Sequence, residues 1–271
     1  MSRPVKTLAL VVNPHRPAAE EVAGATEAAA AARGLEARRW TPGDRLDGDV
    51  DVLVGIGGDG TLLAAAVAAV AADLPLVGVN LGRVGYLVDI EPGSVERMLD
   101  GLVAGTLEER VRMTLEVTTA DGRTWQGIND VVLEKVVSQR LVQISVEING
   151  HYFTSYRADG IIVATPLGST AYSLSAGGPV IDPELEALIL TPVAPHSLLS
   201  RSIVLAPDAE LRCTVALDRP VRVNVDGRDA CVIHAGDSAV VRRSHKGLRF
   251  LSLGTHPFPQ AVRHQFGLDH A

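Results

Sequence analysis

Two hydrophobic periods divide the chain. Up to about residue 104, apolar residues come as short runs separated by Ala-rich stretches. Residues 8–12, 50–56 and 76–79 are apolar runs, the second interrupted only by Asp51, the pattern of parallel strands buried on both faces. Residues 36–40 are a further candidate strand. Residues 18–33 are rich in Ala and Glu, follow Pro17 and end at Gly34. Proline at the start and glycine just past the end is helix punctuation. Residues 62–72 read as a buried helix and 94–103 as another. This βαβα rhythm predicts an α/β N-terminal domain with a doubly wound, mostly parallel sheet.

Beyond residue 107 the period drops towards two. Residues 112–119 alternate polar and apolar side chains. Asp121-Gly122 and Asn149-Gly150 lie between β-rich runs and signal hairpins. Further runs at 161–164, 202–206, 211–216, 221–225 and 238–242 are separated by turn residues at short intervals. They predict an all-β, sandwich-like C-terminal domain. The division is therefore an α/β domain over 1–106 and a β-rich domain over 107–255. Residues 259–268 read as a short helix, and 256–271 are a candidate segment to complete the first domain.

Composition narrows the function classes. The 271 residues are 46% hydrophobic and 21% charged, which suits a packed core and not a disordered polyelectrolyte. The net charge of -7 argues against broad nucleic-acid binding, which rests on Lys and Arg neutralising phosphates. The longest apolar stretch, 62–72, is mostly Ala and too short to span a bilayer. The apolar run at 8–12 has the length of a strand, not of a signal core. Cys213 and Cys231 are the only cysteines; they fit a reducing compartment and lack the paired spacing of a zinc site. The eight histidines show no metal spacing either. No nucleic-acid partner, no membrane and no resident metal set are expected, and the protein reads as cytoplasmic.

The sharpest chemistry follows the third apolar run. Gly57-Gly58-Asp59-Gly60-Thr61 ends a strand and opens an Ala-rich helix. Open α/β sheets bind ligands at such carboxyl ends. Three glycines allow a tight turn and close backbone approach. The helix start presents unpaired N–H groups and a positive dipole end to an anion. Asp59 is the odd member, because a carboxylate beside phosphates repels them unless it takes a proton or holds a metal ion. The plainer alternative is that Asp59 caps the helix. The Gly-Lys-Ser/Thr ending of a Walker loop is missing. Asp59 is the catalytic candidate and Gly60 a ligand contact beside it.

Three more stretches are candidates. In Gly78-Val79-Asn80-Leu81-Gly82-Arg83-Val84-Gly85-Tyr86 the glycines do not match a dinucleotide fingerprint, leaving a small-residue turn or a ligand contact. In Gly127-Ile128-Asn129-Asp130, Asn129 has a donor and an acceptor edge that could read a purine, and Asp130 can accept from hydroxyls. On spacing alone an Asx turn opening a strand is favoured there. The third stretch runs from Asp159-Gly160 through Pro166-Leu167-Gly168-Ser169-Thr170-Ala171-Tyr172-Ser173-Leu174-Ser175 to Gly177-Gly178-Pro179. It reads as a buried strand, a Pro-Gly turn and a short Ser/Thr-rich helix. Its hydroxyls suit a ribose or phosphate, and Tyr172 offers a ring to a base. A capped helix explains Ser169 or Thr170 singly, but not the whole set. Trp40 and Trp125 read as packing residues, and His196 as a turn residue.

Together these stretches resemble the NAD kinases, over most of the chain. The resemblance includes Asn80 to Leu87, Asn129-Asp130, the block from Asp159 to Pro179, Pro195-His196-Ser197-Leu198 with Arg201, and Val225-Asp226-Gly227. Diacylglycerol, sphingosine and phosphofructo-kinases share the Gly-rich pentapeptide; the block after Asp159 is the more specific part. The resemblance implies transfer of the γ-phosphate of ATP, or of a polyphosphate group, to the 2′-hydroxyl of the NAD adenosine ribose, giving NADP. It makes Asp59 the proton acceptor and Mg²⁺ the ion that bridges the phosphates. It assigns NAD contacts to Asn129, Asp130, Thr170, Ala171, Tyr172 and Ser175, with Leu167, Ser173 and Leu174 in the same segment. Asp159 then faces the nicotinamide end, across a subunit interface with Ala194, in a homo-oligomer of two or four chains. Arg140 and Arg157 match positions that are often basic or polar.

Three departures stand out. Leu63-Ala64-Ala65-Ala66-Val67 carries no charge where the family often has a basic residue after the Gly-rich turn. Leu167 stands where a small or hydroxyl residue is common. Arg228 follows Asp226-Gly227 where Gln is common, and is the candidate replacement for the missing charge. Two other functions compete. A lipid kinase needs an apolar acceptor pocket, which the Ser/Thr-rich block opposes. A non-catalytic NAD or NADP sensor fits the uncharged stretch after Thr61, but has no need of a carboxylate among phosphate donors.

Overall fold

The apolar runs of the N-terminal region become the central strands of a sheet. In the computed structural model, which describes residues 4–41, 43, 46, 48–81, 90–254 and 258–268, the chain divides into two compact units. The first opens with β1 (Thr7–Val12), α1 (Pro17–Ala31), β2 (Glu36–Arg39), β3 (Val52–Gly57), α2 (Asp59–Ala72) and β4 (Leu76–Asn80). Strands β1, β3 and β4 run parallel and are almost wholly buried, which is why each reads as an unbroken apolar run. Ala19, Ala23, Thr26 and Ala30 form the buried stripe of α1, at helical spacing. Helix α3 (Val95–Ala104) buries Val95, Met98, Leu99 and Leu102, and the edge strand β5 (Glu108–Arg112) follows.

The second unit spans residues 113–247. Its elements are β6 (Leu115–Thr119), β7 (Thr124–Gly127), β8 (Asp130–Lys135), β9 (Val142–Ile148), β10 (His151–Ala158), β11 (Gly160–Ala164), α4 (Tyr172–Ser175), β12 (Leu188–Val193), β13 (Ile203–Leu205), β14 (Leu211–Val215), β15 (Val221–Val225), β16 (Arg228–Ile233) and β17 (Ser238–Arg243). Two antiparallel six-stranded sheets result, in the orders β10-β9-β14-β17-β6-β7 and β13-β12-β11-β8-β15-β16. Leu115, Ile144 and Cys213 from one sheet share a core with Leu133, Ile161 and Val223 from the other. That is the sandwich expected from the alternating pattern. Residues of opposite parity, Val132, Ile162 and Ile189, are buried under Ala176 and Ile181. Strand β11 is therefore covered on both faces. The Asn149-Gly150 pair forms a two-residue hairpin turn between β9 and β10, with φ of 52° and 77°.

After β17 the chain returns to the first unit. Strand β18 (Leu248–Ser252) pairs parallel with β4 and antiparallel with β5, completing the order β2-β1-β3-β4-β18-β5. Helix α5 (Phe258–Gln265) belongs to the same unit. The dividing lines thus run at 112/113 and 247/248, where the sequence pattern suggested 106/107 and 255/256. The pairing of β5 with β18 joins residues about 140 apart, and local hydrophobic periodicity carries no signal for it.

Two local expectations change. Helix α2 begins at Asp59, three residues before the apolar run at 62–72, because Gly60 is a poor helix former that masks the first turn. The Ser/Thr-rich segment is not one helix. A 3₁₀ turn (Leu167–Thr170) is separated from the single turn of α4 by Ala171, at φ -88° and ψ -130°.

Candidate active site

In the first unit a cavity of about 890 Å³ opens at the carboxyl ends of β1, β3 and β4. Asn13 and Arg16 line it from the loop after β1, Gly58 to Thr61 from the turn after β3, and Asn80 from the end of β4. The turn keeps its shape by close approach. A Cβ added at Gly57 would lie 2.7 Å from the Thr61 hydroxyl, so only glycine fits there. A Cβ at Gly60 would meet nothing within 4 Å. Glycine at 60 is not required by packing, and its absent side chain leaves the start of α2 open to a ligand. Gly58 is the N-cap residue and supplies no side-chain cap. Its carbonyl accepts from the N–H groups of Thr61 and Leu62 at 3.0 and 3.1 Å.

Asp59 is the first residue of α2, is exposed, and does not cap the helix. Capping therefore does not explain its presence, although an acidic residue in the first turn also favours the helix dipole. Its carboxylate stands in the cavity, beside a helix start whose first N–H groups have no intrahelical acceptor. Trp40 also lines this cavity, with its indole N–H buried and unpartnered among the described residues. The packing role read for Trp40 leaves that donor unaccounted for. Of the Gly-rich stretch 78–86, Gly78 to Leu81 are described, and Gly82 to Tyr86 lie outside the described residues.

In the second unit a cavity of about 320 Å³ is lined by Asn129, Asp130, Glu134, Ala171, Tyr172 and Asp226, among others. Three segments far apart in sequence build it. Asp226 sits with Gly227 in the two-residue turn between β15 and β16, at φ of 51° and 74°. Its carboxylate accepts from the N–H groups of Ile128 (2.8 Å), Asn129 (2.7 Å) and Asp130 (3.2 Å). The hydroxyl of Thr165 donates to the carbonyl of Ile128 at 2.8 Å and accepts from the N–H of Gly168 at 2.9 Å. A Cβ at Gly168 would fall 2.1 Å from the carbonyl oxygen of Asn129, so glycine alone permits this contact. The segment carrying Asn129 and Asp130 is thus clamped from both sides.

Two buried carboxylates meet here. Burial, then the charge of Asp226, push Asp130 up to about 7, and the N–H of Tyr172 pulls it back only in part. Burial raises Asp226 too, while the three N–H groups and Arg228 favour its charged form. Three N–H donors and Arg228 thus favour the charged form of Asp226, whereas burial and the facing charge favour the protonated form of Asp130. Tyr172 has a half-exposed ring, and burial raises its phenol, helped by Glu134, Asp159 and Asp130.

The other candidates separate into groups. Asp159 is paired with Lys135, and its N–H donates to the carbonyl of Val193 at 3.0 Å, next to Ala194. Ala194 is exposed with φ of 44°, and the N–H of His196 donates to the carbonyl of Arg157 at 2.7 Å. Arg157, Asp159, Ala194 and His196 thus share one region at the ends of β10 and β12. Arg140 is exposed in the loop between β8 and β9. Thr170 is half-buried, Leu174 half-buried and Ser175 exposed, whereas Leu167 is buried. The hydroxyl of Ser173 is committed to Thr191 at 3.0 Å, and Ser169 exchanges bonds with Ile181. These two hydroxyls hold the segment together rather than face a ligand. Arg228 opens β16 in the second unit and acts electrostatically on Asp226, so its role as substitute for a charge at the Gly-rich turn has no support in its contacts.

Sequence reasoning passed over Arg16 and Asp226 as site residues. The signal for Asp226 was an Asp-Gly pair between two alternating runs. For Arg16 it was a Pro-bearing loop just after the first buried strand. Among the described residues no group of three His, Cys, Asp or Glu side chains could hold a metal ion, and no helix is long and apolar enough to cross a membrane.

Comparison with known proteins agrees with this architecture. Residues 26–107 match the profile of the ATP-NAD kinase N-terminal domain, and 128–253 that of the ATP-NAD kinase C-terminal domain. The NAD kinase of Carboxydothermus hydrogenoformans is 39% identical over 220 residues, covering 79% of this chain and 78% of that protein. Two solved structures share the fold. Yeast NADH kinase complexed with NADH has a TM-score of 0.89 at 22% identity, covering 100% of this chain and 90% of the other. An NAD kinase from Archaeoglobus fulgidus in complex with ATP has a TM-score of 0.75 at 24% identity, covering 97% of each. With both domain profiles matched and a relative of this identity spanning most of its length, the chain belongs to the NAD kinase family.

Proposed function

We infer that this enzyme transfers the terminal phosphoryl group of ATP, or of a polyphosphate, to the 2′-hydroxyl of the adenosine ribose of NAD, forming NADP. One observation carries the reading: an exposed carboxylate, unused as a helix cap, stands at a helix start that opens into a cavity. Asp59 takes the proton of the 2′-hydroxyl. The ribose oxygen forms a bond to the γ-phosphorus, the bond from that phosphorus to the β,γ-bridging oxygen breaks, and ADP leaves with its electron pair. With polyphosphate, the leaving group is the chain shortened by one unit. The N–H groups at the start of α2 stabilise charge on the phosphoryl oxygens.

Mg²⁺ arrives with the donor as part of the substrate. The oxygen donors of the cavity that would face it are those of Asp59, Thr61 and Asn80, which would suit an ion that keeps most of its ligands from phosphate and water.

Asn129, Asp130, Ala171 and Tyr172 hold the dinucleotide in the second unit, with Thr170 and Ser175 close by in sequence. A carboxyl group such as Asp130 that keeps its proton near neutrality both donates to and accepts from a ribose hydroxyl. Arg157, Asp159 and Ala194 contribute at the nicotinamide end, in a homo-oligomer that works in the cytoplasm. The free thiols of Cys213 and Cys231 support a reducing compartment.

The test is NADP formation by the purified chain with NAD, Mg²⁺ and either ATP or polyphosphate. Wild-type protein forms NADP, and Asp59→Asn lowers turnover by at least about 10²-fold. Wild-type protein that forms no NADP with either donor sinks the reading.

A further inference from the structure

The Gly-rich turn lacks the basic residue expected after Thr61, yet the donor it binds carries several negative charges. The missing charge has a second source. The loop after β1 is Asn13-Pro14-His15-Arg16-Pro17, and it is firmly held. The side chain of Asn13 accepts from the N–H of His15 at 3.0 Å, the N–H of Asn13 donates to the carbonyl of Ile56 at 3.3 Å, and the N–H of Arg16 donates to the carbonyl of Asn13 at 3.3 Å. Arg16 precedes Pro17, which keeps its backbone extended at φ -116° and ψ 106°. From there its guanidinium reaches the Gly-rich turn. A Cβ added at Gly58 would lie 3.5 Å from an Nη atom of Arg16. Arg16, Gly58, Asp59, Gly60 and Thr61 line the same cavity.

The charge on Arg16 is also uncommitted. Arg39, the other arginine of this cavity, is tied to Glu20 and Glu27. Arg33 is tied to Asp100 and Glu96, and Arg38 to Glu36 and Asp49. Among the described residues the Arg16 side chain has no hydrogen-bond or ion-pair partner. An arginine held by its backbone and left without a carboxylate is arranged for an anion that arrives from outside.

We propose that Arg16 is the cationic contact for the phosphate oxygens of the donor, standing in for the basic residue absent after the Gly-rich turn. This rests on the phosphoryl-transfer reading given above. A planar guanidinium binds two phosphate oxygens at once, which serves ATP and inorganic polyphosphate alike.

Arg16→Gln, Arg16→Lys and Arg97→Gln test it in the full chain. Arg97 is exposed on α3 and outside the cavity, so its variant controls for net charge. Two readouts are taken: steady-state kinetics with ATP or polyphosphate varied, and calorimetric binding of inorganic tripolyphosphate without NAD. Arg16→Gln raises the KM for both donors and the Kd for tripolyphosphate by about tenfold or more. It leaves the KM for NAD within about twofold, the scatter of a side chain that does not touch that substrate. Arg16→Lys, which keeps the charge and loses the fork, falls between. Arg16→Gln with wild-type donor constants overturns the proposal, as does an equal effect of Arg97→Gln or an equal loss of NAD affinity. If wild-type protein makes no NADP, the phosphoryl-transfer reading fails, and tripolyphosphate binding still decides the role of Arg16.

Discussion

Single side chains decide chemistry here through what they are not doing. Asp59 makes no cap, so its loss breaks no capping bond and, on the proposed mechanism, removes the proton acceptor. Asp59→Asn should change stability by no more than about 0.5 kcal/mol, as exposed substitutions do, while turnover collapses. Thermal unfolding beside the NADP assay separates the two effects. Asp226 is the opposite case, a buried carboxylate that satisfies three backbone N–H groups at once. Asp226→Ala leaves those donors without an acceptor and should cost about 2–4 kcal/mol. Asp226→Asn keeps one carbonyl oxygen and tolerates the positive φ of 51°, so it should cost clearly less. Urea denaturation of both variants checks the order, and equal costs would mean that the three bonds do not carry the stability. Neither role is visible from residue type alone. An Asp beside a Gly is a turn signal in both places, and only contacts tell a reactant from a clamp.

Elements bring the two carboxylates of the second unit together. The turn between β15 and β16 carries Asp226, and the start of β8 carries Asp130. Burial and the facing charge push Asp130 up to about 7, against about 3.9 in an unfolded chain. Between those values the folded protein binds more protons than the unfolded one, so stability falls as pH rises through this window. Asp226, also raised, adds in the same direction. Asp100 and Glu36 are lowered by Arg33 and Arg38 and act with the opposite sign, but only below the ordinary carboxylate range. Thermal midpoints from about pH 5 to 8 should therefore decline for wild-type protein and flatten for Asp130→Asn. Parallel curves would rule out Asp130 as the source. At this scale the sequence was largely legible: β1, β3, β4 and β11 announce themselves by continuous apolar runs. The broken turn at Ala171 did not, because hydroxyl-rich residues have no strong preference between a 3₁₀ turn and an α-helix.

On the scale of the whole molecule, the chain leaves the first unit at Arg112 and returns at Leu248. Strand β18 inserts between β4 and β5, and Leu251 is wholly buried in the first unit's core. Leu251→Ala should cost about 2–5 kcal/mol, measured by urea denaturation, the penalty of a core cavity and not of a fraying tail. A cost below about 0.5 kcal/mol, typical of a surface site, would contradict that placement.

The order of amino acids by itself determined the two fold classes, the Gly-rich turn with its carboxylate, the Asn129-Asp130 and 159–179 blocks, and the family they resemble. Each is written in local periodicity, or in residue types whose backbone and hydrogen-bonding limits act within a few positions. Only the tertiary structure decided that Asp59 is free of the helix it opens, that Asp226 clamps residues about a hundred positions away, that Ser169 and Ser173 are structural, and that β18 closes the first sheet. Those outcomes depend on which distant atoms come within bonding distance, and burial, charge and unpaired donors acquire meaning only after the chain has brought them together.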